Sequence, residues 1–327
     1  MEPVLDIRRL SLSLPGKKGD VSILHDVSLS VLPGQILGLV GESGSGKSMT
    51  AFAVTRLLPG GGREKLGGSI RFSGEELTEK TEKDMQRIRG REISMIFQEP
   101  MTCLNPVFSI GRQMTDVICT HRQVTRTEAR AAARAMLESV HIRNAEDVLD
   151  AYPYELSGGM RQRVMIGIAL SCRPKLLIAD EPTTALDVTV QARILALIRE
   201  ACRNLGTAVI FISHDLGVIS MLCDTVAVMY SGHIVEAGRT EDVLARPEHP
   251  YTQALIAAVP TFSMKAGGRL FAIPGIVPDP SEPMRGCRFA PRCPRASGVC
   301  REAMPEGQAS GDGHLVYCHH WEGGVRS

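Results

Sequence analysis

Gly41-Glu42-Ser43-Gly44-Ser45-Gly46-Lys47-Ser48 stands between an apolar run, Ile36-Leu37-Gly38-Leu39-Val40, and a helix-compatible stretch from Met49 to Leu58. The pattern G-x-x-x-x-G-K-[ST], following a strand and opening a helix, is that of a phosphate loop. Glycines let the backbone fold its N–H groups around a polyphosphate, Lys47 can neutralise the β/γ oxygens, and the Ser48 hydroxyl can complete a Mg²⁺ shell. The competing reading, a glycine-rich turn before an ordinary helix, gives no reason for strand, loop, Lys-Ser and helix to occur in this order. The stretch therefore predicts a nucleoside triphosphate as ligand.

At 327 residues the chain is long enough for a full α/β core plus an appendage, and two domains are expected. Lysine and arginine number 37 against 36 aspartate and glutamate, so no global field draws the protein to nucleic acid or an anionic membrane. No run of about 18 apolar residues occurs, and Met1-Glu2-Pro3-Val4-Leu5-Asp6 lacks the basic and apolar regions of a secretion signal. A cytosolic chain is expected, where stable disulfides among its nine cysteines are disfavoured. Cys103, Cys119, Cys172, Cys202 and Cys223 are scattered and read as small buried hydrophobes.

Residues 4–40 alternate apolar and polar positions (Leu10, Leu12, Leu14; Val27, Leu29, Val31) between Pro15-Gly16 and Pro33-Gly34, which predicts antiparallel strands joined by turns. Continuous apolar runs at Ile93–Phe97, Leu176–Ala179, Val209–Ser213 and Val226–Tyr230 predict strands buried on both faces of a parallel sheet. Between 100 and 155 the strand pattern stops. Thr125-x-x-Glu128 reads as a capping box, with Ala129, Ala133, Met136, Leu137 and Val140 on one helical stripe, so a small helical subdomain is expected. Beyond 260 the chain turns rich in Pro, Gly and Cys, which marks a boundary there.

Leu176-Leu177-Ile178-Ala179-Asp180-Glu181 is an apolar strand ending in two carboxylates, at the sheet end where α/β proteins place ligand chemistry. Asp180 suits a Mg²⁺ partner and Glu181 a general base for water attacking the γ-phosphate. A solvated acidic turn is the alternative, weakened by a phosphate loop upstream that needs a metal ligand. Leu156-Ser157-Gly158-Gly159-Met160-Arg161-Gln162-Arg163 opens a helix whose glycines leave N–H groups facing an anion, though a serine cap alone explains the same residues.

Taken in order, Gly41–Ser48, Gln98, Leu156–Met160, Leu176–Glu181, Ala185-Leu186-Asp187 and His214 resemble the ATP-binding cassette ATPases, over roughly residues 4–250. The resemblance implies an α/β P-loop NTPase cassette: a mixed sheet core, an antiparallel β subdomain and a helical subdomain at about 100–160. It implies two cassettes closing head to tail on two ATP molecules. Gly41, Glu42, Ser43, Gly44, Ser45, Gly46, Lys47, Ser48 and Met49 would then bind ATP. Ser48, Gln98 and Asp180 would serve Mg²⁺, with Gln98 also sensing the attacking water. Glu181 would activate that water and His214 would steady the γ-phosphate, while Ser157, Gly158, Gly159 and Asp187 would act across the dimer. Two departures from the family pattern stand out: Met160 replaces the usual Gln, and the adenine-stacking aromatic is missing at a position near Ser22.

Gln98-Glu99-Pro100-Met101-Thr102-Cys103-Leu104-Asn105-Pro106 and His249-Pro250-Tyr251-Thr252-Gln253-Ala254-Leu255 resemble the subgroup serving bacterial dipeptide, oligopeptide and nickel importers, as do Pro274-Gly275-Ile276-Val277-Pro278 and Gly286-Cys287-Arg288-Phe289-Ala290-Pro291-Arg292-Cys293-Pro294. The implied division is a cassette over 1–258 and a C-terminal extension over 259–327. The segment after Gln98 would meet the membrane subunit. The implied partners are a second homologous cassette, two transmembrane permease subunits and an extracytoplasmic substrate-binding protein, with this chain peripheral at the cytoplasmic face of the inner membrane. Peptide import is the leading reading and nickel or another small solute the alternative. A soluble cassette acting on nucleic acid or ribosomes is opposed by neutral charge, a single cassette and few aromatics. A regulatory cassette without turnover is opposed by the presence of both Glu181 and His214.

Cys287, Cys293, Cys300 and Cys318 are spaced C-x5-C-x6-C-x17-C in a tail too poor in apolar residues to build a core alone. Four thiolates suit iron–sulfur or zinc, ordinary thiols being the third reading. Resemblance to the subgroup implies a [4Fe–4S] cluster, with Zn²⁺ as the alternative. His314, His319 and His320 lie near enough for a mixed ligand set, though solvated tail histidines explain them as well.

Overall fold

Strands covered on both faces need apolar side chains at every position, and this requirement sorts the chain into its elements. The structure is a computed structural model describing residues 2–17, 19–98, 103–183, 188–259, 272–282, 284–310 and 313–321. Asp187 with Ala185-Leu186, and Glu99 to Thr102 of the expected docking segment, lie outside the described residues. Two compact units arise: Met1–Leu5, Ser30–Ile36 and Arg71–Ile212 form one, and Asp6–Leu29, Leu37–Ile70 and Ser213–Ser327 the other.

In the second unit the chain opens with β1 (Leu5–Gly16) and β2 (Gly19–Val31), which fold back on each other as a hairpin, followed by β3 (Ile36–Val40), α1 (Lys47–Thr55) and β4 (Lys65–Phe72). β1 lies between β2 and β4. The expected alternation is only partly kept. Leu5 and Ile7 are buried, then Leu10 and Leu12, because Arg9 takes a left-handed φ of 46° and slips the phase by one residue. Asp26, at φ 52°, does the same in β2, so Leu24, Val27 and Val31 are buried while Leu29 is half-buried.

β9 (Thr225–Tyr230) runs parallel to β3, with Leu37 opposite Thr225 and Val40 opposite Val228. β10 (His233–Arg239) returns antiparallel to β9 with a bulge between Ile234 and Glu236 and leads into α9 (Thr240–Ala245). The C-terminal segment then adds β11 (Gln308–Ser310) and β12 (His314–Val316), and β12 pairs antiparallel to β10 through Glu236 with Val316 and Ala237 with Leu315. A tail with no core of its own thus borrows the edge of an existing sheet.

The first unit holds a parallel series of β6 (Ile93–Ile96), β7 (Leu176–Asp180) and β8 (Ala208–Ser213), β7 pairing with both neighbours. All residues of β7 and β8 are buried, as their apolar runs predict. After β5 (Glu75–Glu76) and α2 (Glu82–Ile88), the helical insert contains α3 (Ile110–His121), α4 (Arg126–Ser139), α5 (Ala145–Asp150) and α6 (Gly158–Leu170), with α7 (Val188–Leu205) following β7. The capping box is present: Thr125 Oγ1 accepts from Glu128 N at 3.3 Å while Thr125 N donates to Glu128 Oε2 at 2.7 Å. Ala129, Ala133, Leu137 and Val140 are fully buried, and Met136 at the edge of the stripe is half-buried. The scattered cysteines divide, with Cys202 and Cys223 buried, Cys119 and Cys172 half-buried, and Cys103 exposed, against the expectation of burial for all five.

Removing the α4 cap by Thr125→Ala should lower stability by about 1 kcal/mol, read as a shift of the urea midpoint with an unchanged slope.

Candidate nucleotide site

In the second unit, residues 41–48 form a loop that only glycine permits. A Cβ on Gly41 would lie 2.1 Å from Met229 O, and one on Gly46, whose φ is 103°, would lie 2.8 Å from Leu24 Cδ2 and 3.0 Å from Met229 Cε. Gly46 is also the N-cap of α1 and offers no side-chain oxygen, so the first-turn N–H groups of α1 have no side-chain cap. Such a terminus presents backbone donors at the positive end of the helix dipole, which is what a phosphate requires. Lys47 is 6% exposed, and its ammonium donates to Gly41 O at 2.8 Å, Glu42 O at 2.9 Å and Ser45 Oγ at 3.4 Å. Ser43 and Gly44 are exposed; Ser48 and Met49 are half-buried.

The loop is held from two sides. Gly232 N donates to Ser45 O at 2.9 Å, and His25 N donates to Gly232 O at 2.9 Å. On the other side Tyr251, in α10 (Pro250–Ala257), accepts the Glu42 N–H on its hydroxyl at 2.9 Å. Arg292 grips the Glu42 carboxylate with both guanidinium ends, at 2.7 and 3.1 Å. Phe289 packs edge-on against Tyr230 at 5.2 Å and against Tyr251 at 5.4 Å. Near the expected adenine position, Ser22 Oγ lies 3.4 Å from His25 Nδ1, and the His25 ring stacks on His233 at 4.6 Å. His214 follows β8 and is exposed; beside it Asp215 caps α8 (Leu216–Leu222) by accepting from Gly217 N at 2.8 Å.

In the first unit, Asp180 ends β7 and is 2% exposed. Glu181 follows with a left-handed φ of 46°, its N–H bonded to Ile212 O at 3.0 Å, and Gln98 Nε2 donates to its Oε2 at 3.0 Å. Parallel pairing of β6 and β7 brings these two side chains together across 83 residues. Ser157 caps α6, accepting from Met160 N at 3.4 Å, so the plain capping reading holds. Ser157 and Gly158 are nevertheless exposed, and Gly159 is half-buried. Gln162, fully buried in α6, donates from Nε2 to Pro182 O just past Glu181, a tie that no sequence pattern announced.

The four tail cysteines line one narrow cavity together with His249, Phe289 and Arg295. Burial pushes the Cys287 thiol up to about 11, and raises Cys293 and Cys318 as well. Their donor chemistry fits a thiolate-ligated group. Their spacing does not fit a single bound ion: among the described residues no group of three or more His, Cys, Asp or Glu side chains is arranged to hold one. His319 and His320 line the same cavity, and each nearby histidine has a partner of its own. His314 is buried with Nε2 2.7 Å from Glu236 Oε1 and is no solvated tail histidine, while the half-buried His319 pairs with Ala303 O at 2.9 Å and the half-buried His320 with Ser297 Oγ at 2.8 Å.

Residues 24–184 match the ABC transporter family, and residues 235–300 match the oligopeptide/dipeptide transporter C-terminal region. The chain is 50% identical over 96% of its length, and 94% of the relative, to a probable peptide ABC transporter ATP-binding protein of Sinorhizobium fredii. It is 52% identical, over 95% of its own length and 94% of the other, to the probable D,D-dipeptide transport ATP-binding protein DdpD of Escherichia coli. This chain belongs to the oligopeptide/dipeptide family of ABC transporter ATP-binding subunits. With the oligopeptide transport ATP-binding protein OppD of Salmonella typhimurium it shares 46% identity over 96% of this chain and 93% of that one. Its fold matches the dimeric, ADP- and phosphate-bound ATP-binding cassette MJ0796 at a TM-score of 0.64, 21% identity, 72% of this chain and 98% of that one. As an ABC transporter ATPase it hydrolyses ATP for transport.

Tyr251 and Arg292 lie inside segments that resemble this family of ATP-binding subunits, but nothing local in those segments tells that they reach Glu42. Their neighbour His249 caps α10 through Nδ1, which accepts from Tyr251 N at 3.0 Å, and burial pushes its imidazole down to about 4. Since the unfolded histidine titrates near 6.5, unfolding takes up a proton between those values and stability falls as pH drops from about 6.5 toward 4. Melting temperatures across that range should show this slope, and His249→Asn, which keeps a capping oxygen but cannot charge, should flatten part of it.

Proposed function

We propose that Lys47 and Ser48, with the loop N–H groups of residues 41–49, hold the phosphates of ATP, and that the energy of its hydrolysis drives import of di- and oligopeptides. The observation that carries the reading is the glycine-walled loop closed around Lys47 at the start of α1. Ser48, Gln98 and Asp180 present hydroxyl, amide and carboxylate oxygens, the donor type Mg²⁺ takes. That ion, when bound, neutralises phosphate charge. Glu181 is the base that activates water, aimed by its hydrogen bond from Gln98, and His214 steadies the γ-phosphate. Ser157, Gly158, Gly159 and Asp187 act on the nucleotide of a companion cassette; exposure of Ser157 and Gly158 supports this for the first two.

In this reading residues 1–258 are the engine and 259–327 an accessory extension. The working assembly adds a second cassette, two permeases and an extracytoplasmic binding protein, with the chain at the cytoplasmic face of the inner membrane. Among the described residues no helix is long and apolar enough to cross a membrane. The match of residues 235–300 to the oligopeptide/dipeptide C-terminal region favours peptide over nickel as cargo. In the assembled importer, Glu181→Gln should cut ATP hydrolysis by about 100-fold or more while leaving ATP binding in place; an unchanged rate would remove Glu181 as the base.

We also infer that Cys287, Cys293, Cys300 and Cys318 ligate an iron–sulfur cluster, since all four line one cavity and a cluster keeps its thiolates further apart than a single ion does. Zn²⁺ held by the same four thiolates is the alternative. Anaerobically purified protein should show visible sulfur-to-iron absorption that Cys300→Ser abolishes, whereas a colourless, zinc-containing protein would reverse the assignment.

A further inference from the structure

The phosphate loop contains an acidic side chain at its second position, and a carboxylate beside a polyphosphate site works against binding. All of the Glu42 polar groups are fixed. Its N–H donates to Tyr251 Oη, its C=O accepts from Lys47 Nζ at 2.9 Å and from Ser45 N at 3.2 Å, and its carboxylate takes both ends of the Arg292 guanidinium. The Arg292 side chain is 3% exposed, unlike the screened ion pairs of a protein surface.

Five N–H donors are available on a guanidinium, and the surroundings of Arg292 use five. Beyond the two bonds to Glu42, Nη1 donates to Tyr230 Oη at 3.2 Å, Nη2 to Ile273 O at 3.3 Å and Nε to Pro274 O at 2.9 Å. Gly275, with φ 83°, leaves room for the stem, since a Cβ there would meet Arg292 Cγ at 3.0 Å. The tail segment at 273–275 is therefore a seat for this one side chain. A lysine could supply the charge, but neither the planar fork nor the five directed donors.

We propose that Arg292 is a positioning residue for nucleotide binding: from the C-terminal segment it fixes and neutralises Glu42, so that the phosphate loop accepts polyphosphate at full affinity only with this brace engaged. The proposal rests on the reading of residues 41–48 as the ATP phosphate site. It makes the extension part of the nucleotide site, acting through charge on ATP affinity and leaving the chemistry at Glu181 alone.

The test measures binding of a fluorescent ATP analogue with Mg²⁺ to the full-length chain, and KM and kcat for ATP in the assembled importer. Arg292→Met should weaken binding and raise KM by about tenfold with kcat nearly unchanged. Adding Glu42→Gln to that variant should restore most of the lost affinity, because the exposed charge is then gone. Should the methionine variant not fold, Arg292→Gln, which keeps a donor for the tail carbonyls, is read in the same way. Parental affinity in the Arg292 variants would overturn the proposal. So would a fall in kcat without rescue by Glu42→Gln, which is what a purely structural brace would give. Lys47→Ala serves as the separate control: if it binds the analogue as the parent does, the phosphate-loop assignment itself fails, whatever the Arg292 variants do.

Discussion

A main chain that receives polyphosphate on its own N–H groups must turn where side chains would collide, and the second unit is organised around this constraint. Gly41 faces the Met229 carbonyl and Gly46 faces Leu24 and Met229, so the strand end at Met229 and the hairpin strand carrying Leu24 set the walls of the turn. Backbone atoms cannot step aside as a flexible side chain can, which makes Gly41 the less forgiving of the two. The helix that follows begins without a side-chain cap.

Much of this was written locally. The apolar runs of β6 to β9 report burial on both faces, and the capping box at Thr125 and Glu128 reports a helix start, because both signals are made by residues within one turn or one strand of each other. The same locality explains the failures. The alternation in β1 and β2 marks two strands, but nothing at Arg9 or Asp26 signals the left-handed backbone that breaks its phase. His314 read as a solvated histidine until the strand β12 carried it onto Glu236. Gln162 with Pro182 and Arg292 with Glu42 are contacts between distant segments that no local pattern marks, whereas the meeting of Gln98 with Glu181 follows from the family resemblance alone.

The C-terminal segment illustrates how a stretch poor in apolar residues becomes ordered. Short of a core, such segments depend on staples. Here the staples are shared with the rest of the second unit: strand addition to β10, the packing of Phe289 among Tyr230, Tyr251 and His249, and the ion pair of buried Arg292 with Glu42. Each of them connects the tail to residues at or next to the phosphate loop or to β10. A chemical change at the tail is thereby close, in bonds and contacts, to the loop.

Glu42 and Arg292 are separated by 250 residues, and domains emerge from the ribosome starting at the N-terminus. During synthesis the glycine-rich turn is thus made long before its last clasp exists. A chain that ends short of Arg292 still holds residues 41–48 but lacks the guanidinium that takes up the Glu42 carboxylate.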